Sequence, residues 1–423
     1  MLGKKMACFL ASAALALSLS AAPEFTISND LEMPLYRCGE KASFTVSAKE
    51  NGKPLSAGTC TVTVSQGATG AKLSVETIDF SKGNPAKVTT TLKEPGFVLA
   101  ALRHESLKKM ERDHMAGAGF DVDKIRSGWD LPADFSKFWE DGRAAIANEP
   151  VVLEEIKEKS TNTVTAYRVT VKVLHGENLY GFLAVPKGKG PYPAHVTVPG
   201  AGPGAVAPDI FLADRGVIAL TMNVHKYRAL EVGADQRALY AQKQKELGQS
   251  YCFHQSTDLN KYHFRNVILG VDRAINYVAA MPQWDKKHFV INGSSQGGGM
   301  AIIMTGFNKN ITAAAGNVPA ICDHGGFKTG RQAGWPQLHR NNPASDPVSP
   351  YYDAANFARF IKVPVLLSCG FIDNVCSPAS IHAAFNNLPV ADKRMINMPR
   401  SMHETPKVYV DARNAFVNKH LGL

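Results

Sequence analysis

The chain has 423 residues and a formal net charge of +10 at pH 7, from 47 basic and 37 acidic side chains. The basic residues are scattered, with no Lys/Arg cluster interleaved with aromatics, so nucleic-acid binding is not predicted. A hydrophobic fraction of 45% is ordinary for a globular protein, and the length is sufficient for two domains or one large domain with an accessory.

Residues 1–22 have the pattern of a targeting segment. Two lysines precede an apolar run over residues 6–19, and Ser20-Ala21-Ala22 offers small residues for cleavage. This pattern predicts a secretory signal peptide. The apolar run is too short for a good membrane anchor. We therefore expect an exported protein, periplasmic or secreted, with no membrane attachment after cleavage.

Six cysteines lie beyond the predicted signal peptide: Cys38, Cys60, Cys252, Cys322, Cys369 and Cys376. Export would place them in an oxidising compartment, so a Cys38–Cys60 disulfide within one small predicted domain is left open. No Cys-x-x-Cys or His-Glu-x-x-His spacing occurs, so neither a metal site nor a cofactor is predicted.

Residues 23–110 are predicted to form a small all-β domain. Four segments show β-branched enrichment or period-two alternation, at residues 42–47, 60–65, 87–92 and 97–102. Turn signals separate these segments: Asn51-Gly52, Gly67-Ala-Thr-Gly70 and Glu94-Pro95-Gly96. Short strands with such turns favour an immunoglobulin-like sandwich, which beside an enzyme is more often a spacer or a cleft wall than a catalyst.

Residues 111–150 are predicted to form a linker and a docking helix. Phe135, Phe138 and Trp139 recur at helical spacing, and Asp134 is the predicted N-cap. The aromatic stripe predicts a core face that docks the helix against a sheet.

Residues 151–423 alternate between strand-like and helix-like segments. We predict a helix over 264–280 and strands at 164–173, 179–185, 194–198, 217–222, 313–318, 363–369 and 394–398. The first two strands pair antiparallel, and the short apolar runs after them are typical of a buried parallel sheet. The alternation predicts a doubly wound, mostly parallel α/β sheet, with reactive groups at the carboxyl ends of its strands.

The stretch Gly293-Ser294-Ser295-Gln296-Gly297 lies between a predicted strand and a predicted helix. Only Ser295 fits a Gly-x-Ser-x-Gly turn, because counting from Ser294 puts Asn292 and Gln296 at the glycine positions. The pattern alone is equally compatible with a glycine-rich loop and two incidental serines. The next two residues, Gly298 and Gly299, are predicted to let the helix start pack closely on the sheet.

Ser295 needs a histidine to take its proton and an acid to orient the imidazole. Asp373 follows the predicted strand over 363–369, and His403 follows the one over 394–398. The order Ser, Asp, His after successive strands is the order of an α/β-hydrolase. A turn aspartate and a surface histidine are the structural alternatives. His225, also just after a strand, is a spare candidate for the substrate cleft.

Acyl transfer also requires donors for the tetrahedral oxyanion. One is predicted to be the backbone N–H of Gln296, at the start of the helix. The other is predicted to be the N–H of Ala201, in the loop Pro199-Gly200-Ala201-Gly202-Pro203-Gly204. An ordinary Pro/Gly loop is the alternative for that stretch.

Residues 111–423 resemble the acetyl xylan esterase family that includes the cephalosporin C deacetylases, a branch of the α/β-hydrolases. The motifs that carry the resemblance lie in order along the chain: Pro132-Ala-Asp-Phe-Ser-Lys-Phe-Trp139, Ala184-Val-Pro-Lys187, Trp284-Asp285, Gly293-Ser-Ser-Gln-Gly-Gly298, Gly334-Trp335-Pro336, Tyr351-Tyr-Asp353, Gly370-Phe-Ile-Asp373-Asn-Val-Cys-Ser-Pro378 and the His403 loop. The resemblance implies a serine esterase that removes acetyl groups from carbohydrates, with Ser295, Asp373 and His403 at the triad positions.

The sequence departs from the family pattern at two places. Pro199-Gly200-Ala201 stands where many members have His-Gly-Tyr, and Met402-His403 stands where many have Gly-His. The β domain is absent from the compact members, so their ring-shaped hexamer does not transfer directly and a homo-oligomer is left open.

The expected reaction is removal of acetyl from acetylated xylan or xylo-oligosaccharides through an acyl-enzyme on Ser295. Trp335 and Tyr227 are hypothesised to line the substrate pocket, because aromatics pack on sugar faces, although Trp335 is equally explained as a core residue. The alternatives are an exported hydrolase of another bond, such as a glucuronoyl-type esterase or a peptidase, and a non-catalytic sugar-binding protein.

Overall fold

The computed structural model describes residues 22–204, 207–229 and 235–423. The predicted signal peptide lies outside the described residues, except for its last alanine. The described residues form a β domain, followed along the chain by a larger α/β domain. None of the helices in these ranges is long and apolar enough to cross a bilayer.

Two sheets of the β domain enclose a single apolar core. The strands are β1 (Glu24–Asn29), β2 (Leu35–Tyr36), β3 (Ala42–Glu50), β4 (Lys53–Pro54), β5 (Thr59–Ser65), β6 (Lys72–Asp79), β7 (Ala86–Thr90), β8 (Gly96–Arg103) and β9 (Met115–Phe120). One sheet has the order β1-β3-β4, with β7 also paired to β3, and the other has the order β2-β9-β8-β5-β6. Alternate residues of β3 and β5, such as Phe44 and Val62, are buried between the sheets, as period-two patterning predicts.

The four predicted β segments are all strands, but β9 lies within the range that we predicted to be a linker. It pairs antiparallel with β8, so the β domain extends to Phe120. The segment Met115-Ala-Gly-Ala-Gly-Phe120 has no β-branched residue, so strand propensity gave no signal there. Cys38 and Cys60 are both free thiols, and the disulfide left open above is not formed.

The α/β domain contains one nine-stranded sheet. Its strands are β10 (Val151–Glu155), β11 (Val164–Lys172), β12 (Asn178–Pro186), β13 (Tyr192–Val198), β14 (Ile218–Met222), β15 (Trp284–Ser294), β16 (Ala313–Asn317), β17 (Val365–Gly370) and β18 (Lys393–Met398). The order is β10-β11-β12-β14-β13-β15-β16-β17-β18. Pairing is antiparallel from β10 to β14 and parallel from β14 to β18, which confirms the mostly parallel α/β sheet.

Helices connect these strands. They are α1 (Phe135–Ala145), α2 (Ile210–Asp214), α3 (Gln236–Leu247), α4 (His263–Ala280), α5 (Gln296–Phe307), α6 (Leu338–Asn341), α7 (Ala354–Ala358), α8 (Pro378–Asn386) and α9 (Lys407–Leu421). The predicted helix over 264–280 is α4, whose core-facing residues include Val267 and Val271. Helix α5 follows β15 directly and is almost entirely buried.

Helix α1 buries the predicted aromatic stripe, but it packs on other helices rather than directly on the sheet. The ring of Trp139 lies 5.6 Å from that of Phe307 at the end of α5, and Arg143 is paired with Asp272 of α4 at 2.8 Å. Asp134 precedes α1 but makes no side-chain cap; its carboxylate instead accepts a hydrogen bond from the Tyr351 hydroxyl. The aromatic spacing therefore identified the buried face but not the surface that covers it.

Candidate active site

Ser295 occupies a sharp turn between β15 and α5. Its backbone has φ 56° and ψ −120°, a conformation that non-glycine residues rarely adopt. The Ser295 amide donates to the Asn317 carbonyl at 2.9 Å, and the Ser295 carbonyl accepts from the amides of Gly299 and Ala320 at 3.0 and 2.9 Å. These three bonds hold the strained residue in place at the carboxyl end of the parallel strands.

The glycines that flank Ser295 allow close backbone approaches. A Cβ atom on Gly293 would lie 2.4 Å from the Gly297 carbonyl carbon, and one on Gly297 would lie 2.0 Å from the Val198 carbonyl oxygen. A Cβ on Gly298 would lie 2.8 Å from the Asn317 carbonyl oxygen, and one on Gly299 would lie 2.1 Å from that of Ala320. Real side chains do not tolerate such distances, so the turn requires the glycines that the sequence pattern contains.

The structure brings Ser295, His403 and Asp373 into one hydrogen-bonded chain. The Ser295 Oγ lies 2.9 Å from the His403 Nε2, and the His403 Nδ1 lies 2.8 Å from the Asp373 Oδ2. Because the carboxylate can only accept, the His403 Nδ1 carries the proton and Nε2 can accept the hydroxyl proton of Ser295. This geometry can deprotonate the serine as it attacks a carbonyl carbon.

The Asp373 carboxylate is fixed on both of its oxygens. While Oδ2 faces His403, Oδ1 accepts from the amides of Val375 and Cys376 at 2.8 and 2.9 Å. The Asp373 side chain has no solvent exposure, whereas that of His403 is 26% exposed. Substrate can therefore reach the imidazole while the acid stays buried behind it.

Asn317, the last residue of β16, links the turn of Ser295 to the turn of His403. Its Nδ2 donates to the Ser294 Oγ at 2.9 Å, to the Glu404 carbonyl at 3.1 Å and to the Thr405 Oγ1 at 2.9 Å. Its Oδ1 accepts from the Ser368 Oγ at 2.7 Å. Asn317 was not predicted from the sequence, although its place at the carboxyl end of a predicted strand was an available signal.

The loop that contains Ala201 passes close to Ser295. A Cβ on Gly200 would be 3.9 Å from the Ser295 Cβ, and residues 201–204 continue the loop up to a gap in the description at 205–206. Gln296 is the first residue of α5, so its amide has no acceptor within the helix. The two predicted donors thus belong to backbone segments on either side of the serine.

Two buried side chains hold this loop and the start of α5 together. The Gln296 Oε1 accepts from the Tyr251 hydroxyl at 2.5 Å, and its Nε2 donates to the Pro199 carbonyl at 3.4 Å. The His225 Nε2 donates to the Gly202 carbonyl at 2.5 Å. Burial lowers the pKa of His225 to about 4, so the imidazole is neutral and supports the loop as a donor.

The two aromatic residues hypothesised to line the substrate pocket are both half-buried. Tyr227 stacks on His225 with ring centroids 4.9 Å apart, and its hydroxyl is buried without a partner in the described part of the chain. Trp335 packs against the main core, and its carbonyl accepts from the Ile321 amide at 2.9 Å. Among the described residues, no hydrogen bond or ring contact joins either side chain to the triad.

Within residues 22–204, 207–229 and 235–423, no group of three His, Cys, Asp or Glu side chains is arranged to hold a metal ion. The groups that the described site presents are a hydroxyl, an imidazole, a carboxylate and backbone amides. Such a set is suited to acyl transfer.

Comparison with known protein families matches residues 120–330 and 339–421 to the family described as acetyl xylan esterase (AXE1). The match covers more than half of the chain and includes all three members of the hydrogen-bonded chain. Strands β1 to β8 lie outside the matched region.

Individual proteins agree with this match. The acetyl esterase Axe7A of Xylanibacter ruminicola is 29% identical over 324 residues, which cover 74% of this chain and 72% of that protein. Acetyl xylan esterase 1 from Thermoanaerobacterium sp. JW/SL YS485 has a TM-score of 0.58 at 20% identity, covering 70% of this chain and 97% of its own. An acetyl xylan esterase from Paenibacillus sp. R4 has the same TM-score at 21% identity, covering 71% and 98%. The structural likeness, with the mixed nine-stranded sheet, shows an α/β-hydrolase fold.

Proposed function

The chain belongs to the acetyl xylan esterase family and is a carboxylic-ester hydrolase for acetylated carbohydrates; from this premise we propose that its reaction proceeds through an acyl-enzyme on Ser295. The observation that carries the proposal is the hydrogen-bonded chain from the Ser295 Oγ through His403 to Asp373, at 2.9 and 2.8 Å.

In the proposed first step, His403 Nε2 accepts the hydroxyl proton while the Ser295 Oγ bonds to the acetyl carbonyl carbon. Asp373 holds the protonated imidazole in orientation. The tetrahedral intermediate then collapses, the C–O bond to the sugar breaks, and His403 returns the proton to the departing sugar oxygen. Water, deprotonated by His403, attacks the acetyl-enzyme and releases acetate, which restores the Ser295 hydroxyl.

The amides of Gln296 and Ala201 are the proposed donors to the oxyanion. Their segments are held by Tyr251 and His225, so the donors are positioned before substrate binds. Loss of one such donor typically costs about 3 kcal/mol in the transition state. Trp335 and Tyr227 remain proposals for the sugar-facing wall.

We propose acetylated xylan or xylo-oligosaccharides as substrates and export as the destination. The support for export is the pattern of residues 1–22, which lies outside the described residues. An immunoglobulin-like topology of the β domain and a homo-oligomeric assembly are likewise proposals.

The test is acetate release from acetylated xylo-oligosaccharides, together with hydrolysis of a chromogenic acetyl ester. Ser295→Ala should lose at least about 10³-fold in kcat, because no nucleophile remains. Ser294→Ala is the matched control, and it should lose at most about tenfold, because the Ser294 hydroxyl accepts a bond from Asn317 but is not part of the hydrogen-bonded chain of Ser295, His403 and Asp373. Equal rates in the parent and Ser295→Ala would contradict the proposed mechanism.

Specificity is tested in the same experiment. Parent enzyme that releases no acetate but cleaves a glucuronoyl ester or a peptide would assign the chain to another hydrolase class. Detection of one acetyl group on the Ser295 peptide by rapid-quench mass spectrometry would identify the intermediate directly.

A further inference from the structure

We propose that the β domain positions Asp373 and His403, by packing against the residues that lie immediately beside each of them. This inference rests on the catalytic roles proposed above for these two residues. It assigns positioning roles to Leu99, Met115 and Arg112 of the β domain, and to Gln332 of the α/β domain, none of which is proposed to touch substrate.

The first contact is an apolar cluster shared between the domains. Leu99 of β8 and Met115 of β9 are buried together with Ile372, and Met110 and Met402 pack against them. Ile372 immediately precedes Asp373, and Met402 immediately precedes His403. Side chains of the β domain therefore support both turns that carry the acid and the base.

The backbones also approach closely at this contact. A Cβ on Gly117 of β9 would lie 2.2 Å from the Phe371 carbonyl oxygen, so only glycine fits there. On β8, the ring of Phe97 meets that of Phe371 edge-on, with centroids 5.0 Å apart. The segment between the end of β17 and Asp373 thus packs directly on the β8–β9 pair.

The turn that carries His403 is held by charged groups on both sides. Arg112 binds both carboxylate oxygens of Glu404 at 2.9 Å, and the Glu404 Oε1 also accepts from the Met402 amide at 3.2 Å. Arg400 donates to the carbonyls of Ile27 and Met115 at 3.2 and 3.3 Å. The carboxylate closes the turn around His403, and Arg112 fixes that carboxylate.

A third connection reaches the turn of Asp373 through Gln332. The Ala68 amide of the β domain donates to the Gln332 Oε1 at 2.7 Å. The Gln332 Nε2 donates to the carbonyls of Asn374 and Val375 at 3.2 and 3.4 Å. Gln332 is almost completely buried, so these bonds are shielded from water.

These contacts give a physical role to Met402, which stands where the family resemblance leads us to expect glycine. A glycine there would have no side chain to fill the space between the His403 turn and β8. Because triad geometry must hold to a fraction of an ångström, loosening this cluster should slow the chemical step without changing substrate binding.

The experiment uses the full-length protein and two leucines of the same strand. Leu99 faces Ile372, whereas Leu102 points to the opposite face of β8, into the core between the two sheets. Both Leu→Ala variants should lower the denaturation midpoint. Leu99→Ala should also lower kcat on the chromogenic acetyl ester by about tenfold or more with KM unchanged, and Leu102→Ala should retain kcat.

The pH profile distinguishes positioning from general destabilisation. Neither leucine carries charge, so their removal alters no local electrostatic field. Leu99→Ala should change the pH profile of kcat/KM, because poor alignment of Asp373 and His403 disturbs the proton transfer from Ser295. Leu102→Ala should keep the parent profile.

A second pair of variants avoids the risk that Leu99→Ala does not fold. Arg112→Gln breaks the ion pair with Glu404, whose side chains are 51% and 34% exposed. Lys172→Gln breaks the Lys172–Glu149 pair at the distant β10–β11 edge, with exposures of 47% and 33%. We expect a several-fold loss of kcat with unchanged KM in Arg112→Gln only.

The inference would be overturned by equal kcat values within each pair of variants. Such a result alongside an inactive Ser295→Ala enzyme would remove the positioning role alone. An active Ser295→Ala enzyme would instead remove the proposed function, so the two failures can be told apart.

Discussion

A single amide, that of Asn317, joins the turn of Ser295 to the turn of His403. Its Nδ2 has three acceptors within 3.1 Å, on Ser294, Glu404 and Thr405. The side chain is almost wholly buried, so water cannot easily replace these bonds. The distance from Ser295 to His403 therefore depends on a residue outside the triad.

Asn317→Ala should lower kcat on the chromogenic acetyl ester by about 10- to 100-fold. Each buried hydrogen bond contributes about 1 kcal/mol, and about 1.4 kcal/mol corresponds to a tenfold change in rate. KM should change little, because the amide faces the two turns rather than the substrate. The control is Asn310→Ala, which removes a bond to Asn276 beyond the other end of α5. A folded Asn317→Ala enzyme with the parent kcat would contradict this role.

The sequence was sufficient to select Ser295, Asp373 and His403, because each follows a recognisable strand and the turn glycines identify the serine. It could not identify Tyr251 or Gln332. Neither residue stands in a sequence pattern that predicts a contact with the site. Their hydrogen-bond partners lie 45 and 42 residues away along the chain. His225 was noticed for its place after a strand, but its role as a buried donor to Gly202 required the folded loop.

The start of α5 is the element most tightly constrained by its neighbours. Three consecutive glycines lie so close to carbonyl oxygens that an added Cβ atom would collide with them: Gly297, Gly298 and Gly299. These carbonyls belong to the ends of β13 and β16 and to the loop after β16. These close approaches hold the start of the helix against the sheet, and that segment includes Gln296, whose amide is the proposed oxyanion donor.

Gly299→Ala should destabilise the protein by about 1–3 kcal/mol, despite the better helix propensity of alanine. The new Cβ would lie 2.1 Å from the Ala320 carbonyl oxygen, so backbone must move. Gly142→Ala in α1 is the control, because its Cβ would meet side-chain atoms of Leu269 and Arg265 at 3.1–3.2 Å, which can shift. Chemical denaturation of the two variants makes the comparison, and similar midpoints would contradict the packing argument.

Strands with a clear alternation or a run of large apolar residues were predictable, whereas β9, which is buried at every position and made mostly of small residues, was not assigned. β3 and β5 alternate clearly because one of their faces is solvated. β9 is buried at all six positions and consists of small residues between Met115 and Phe120. Its pattern depends on what covers its second face, and the chain carries that surface more than 250 residues later.

The whole molecule contains several neutral buried histidines. Burial lowers the pKa of His195, His225, His324 and His382 to about 4 and that of His263 to about 3. In the unfolded chain each would titrate near 6.5. The unfolded state therefore binds more protons than the folded state between about pH 6.5 and pH 4, and stability falls as the pH decreases through that window.

We expect the urea midpoint at pH 5 to be clearly lower than at pH 7. A depression of one pKa unit corresponds to 1.36 kcal/mol, so several such groups together contribute several kcal/mol. His382→Gln should make the unfolding free energy depend less steeply on pH, because the unfolded state then takes up about one proton fewer than in the parent protein. Equal midpoints at pH 7 and pH 5 would mean that these imidazoles do not stay neutral in the folded protein.

The contact of β8 and β9 with the turns of Asp373 and His403 also has a consequence for biosynthesis. The β domain leaves the ribosome early, whereas residues 371–404 are translated roughly 250 residues later, and domains fold in that order. During the interval, residues 371–404 are not yet present to cover Leu99, Met115 and Phe97. An apolar patch is therefore exposed to solvent on a domain that has otherwise folded. We therefore expect this apolar patch to be covered only when residues 371–404 dock, and the triad to form at the same stage, because the docking segment carries Asp373 and His403.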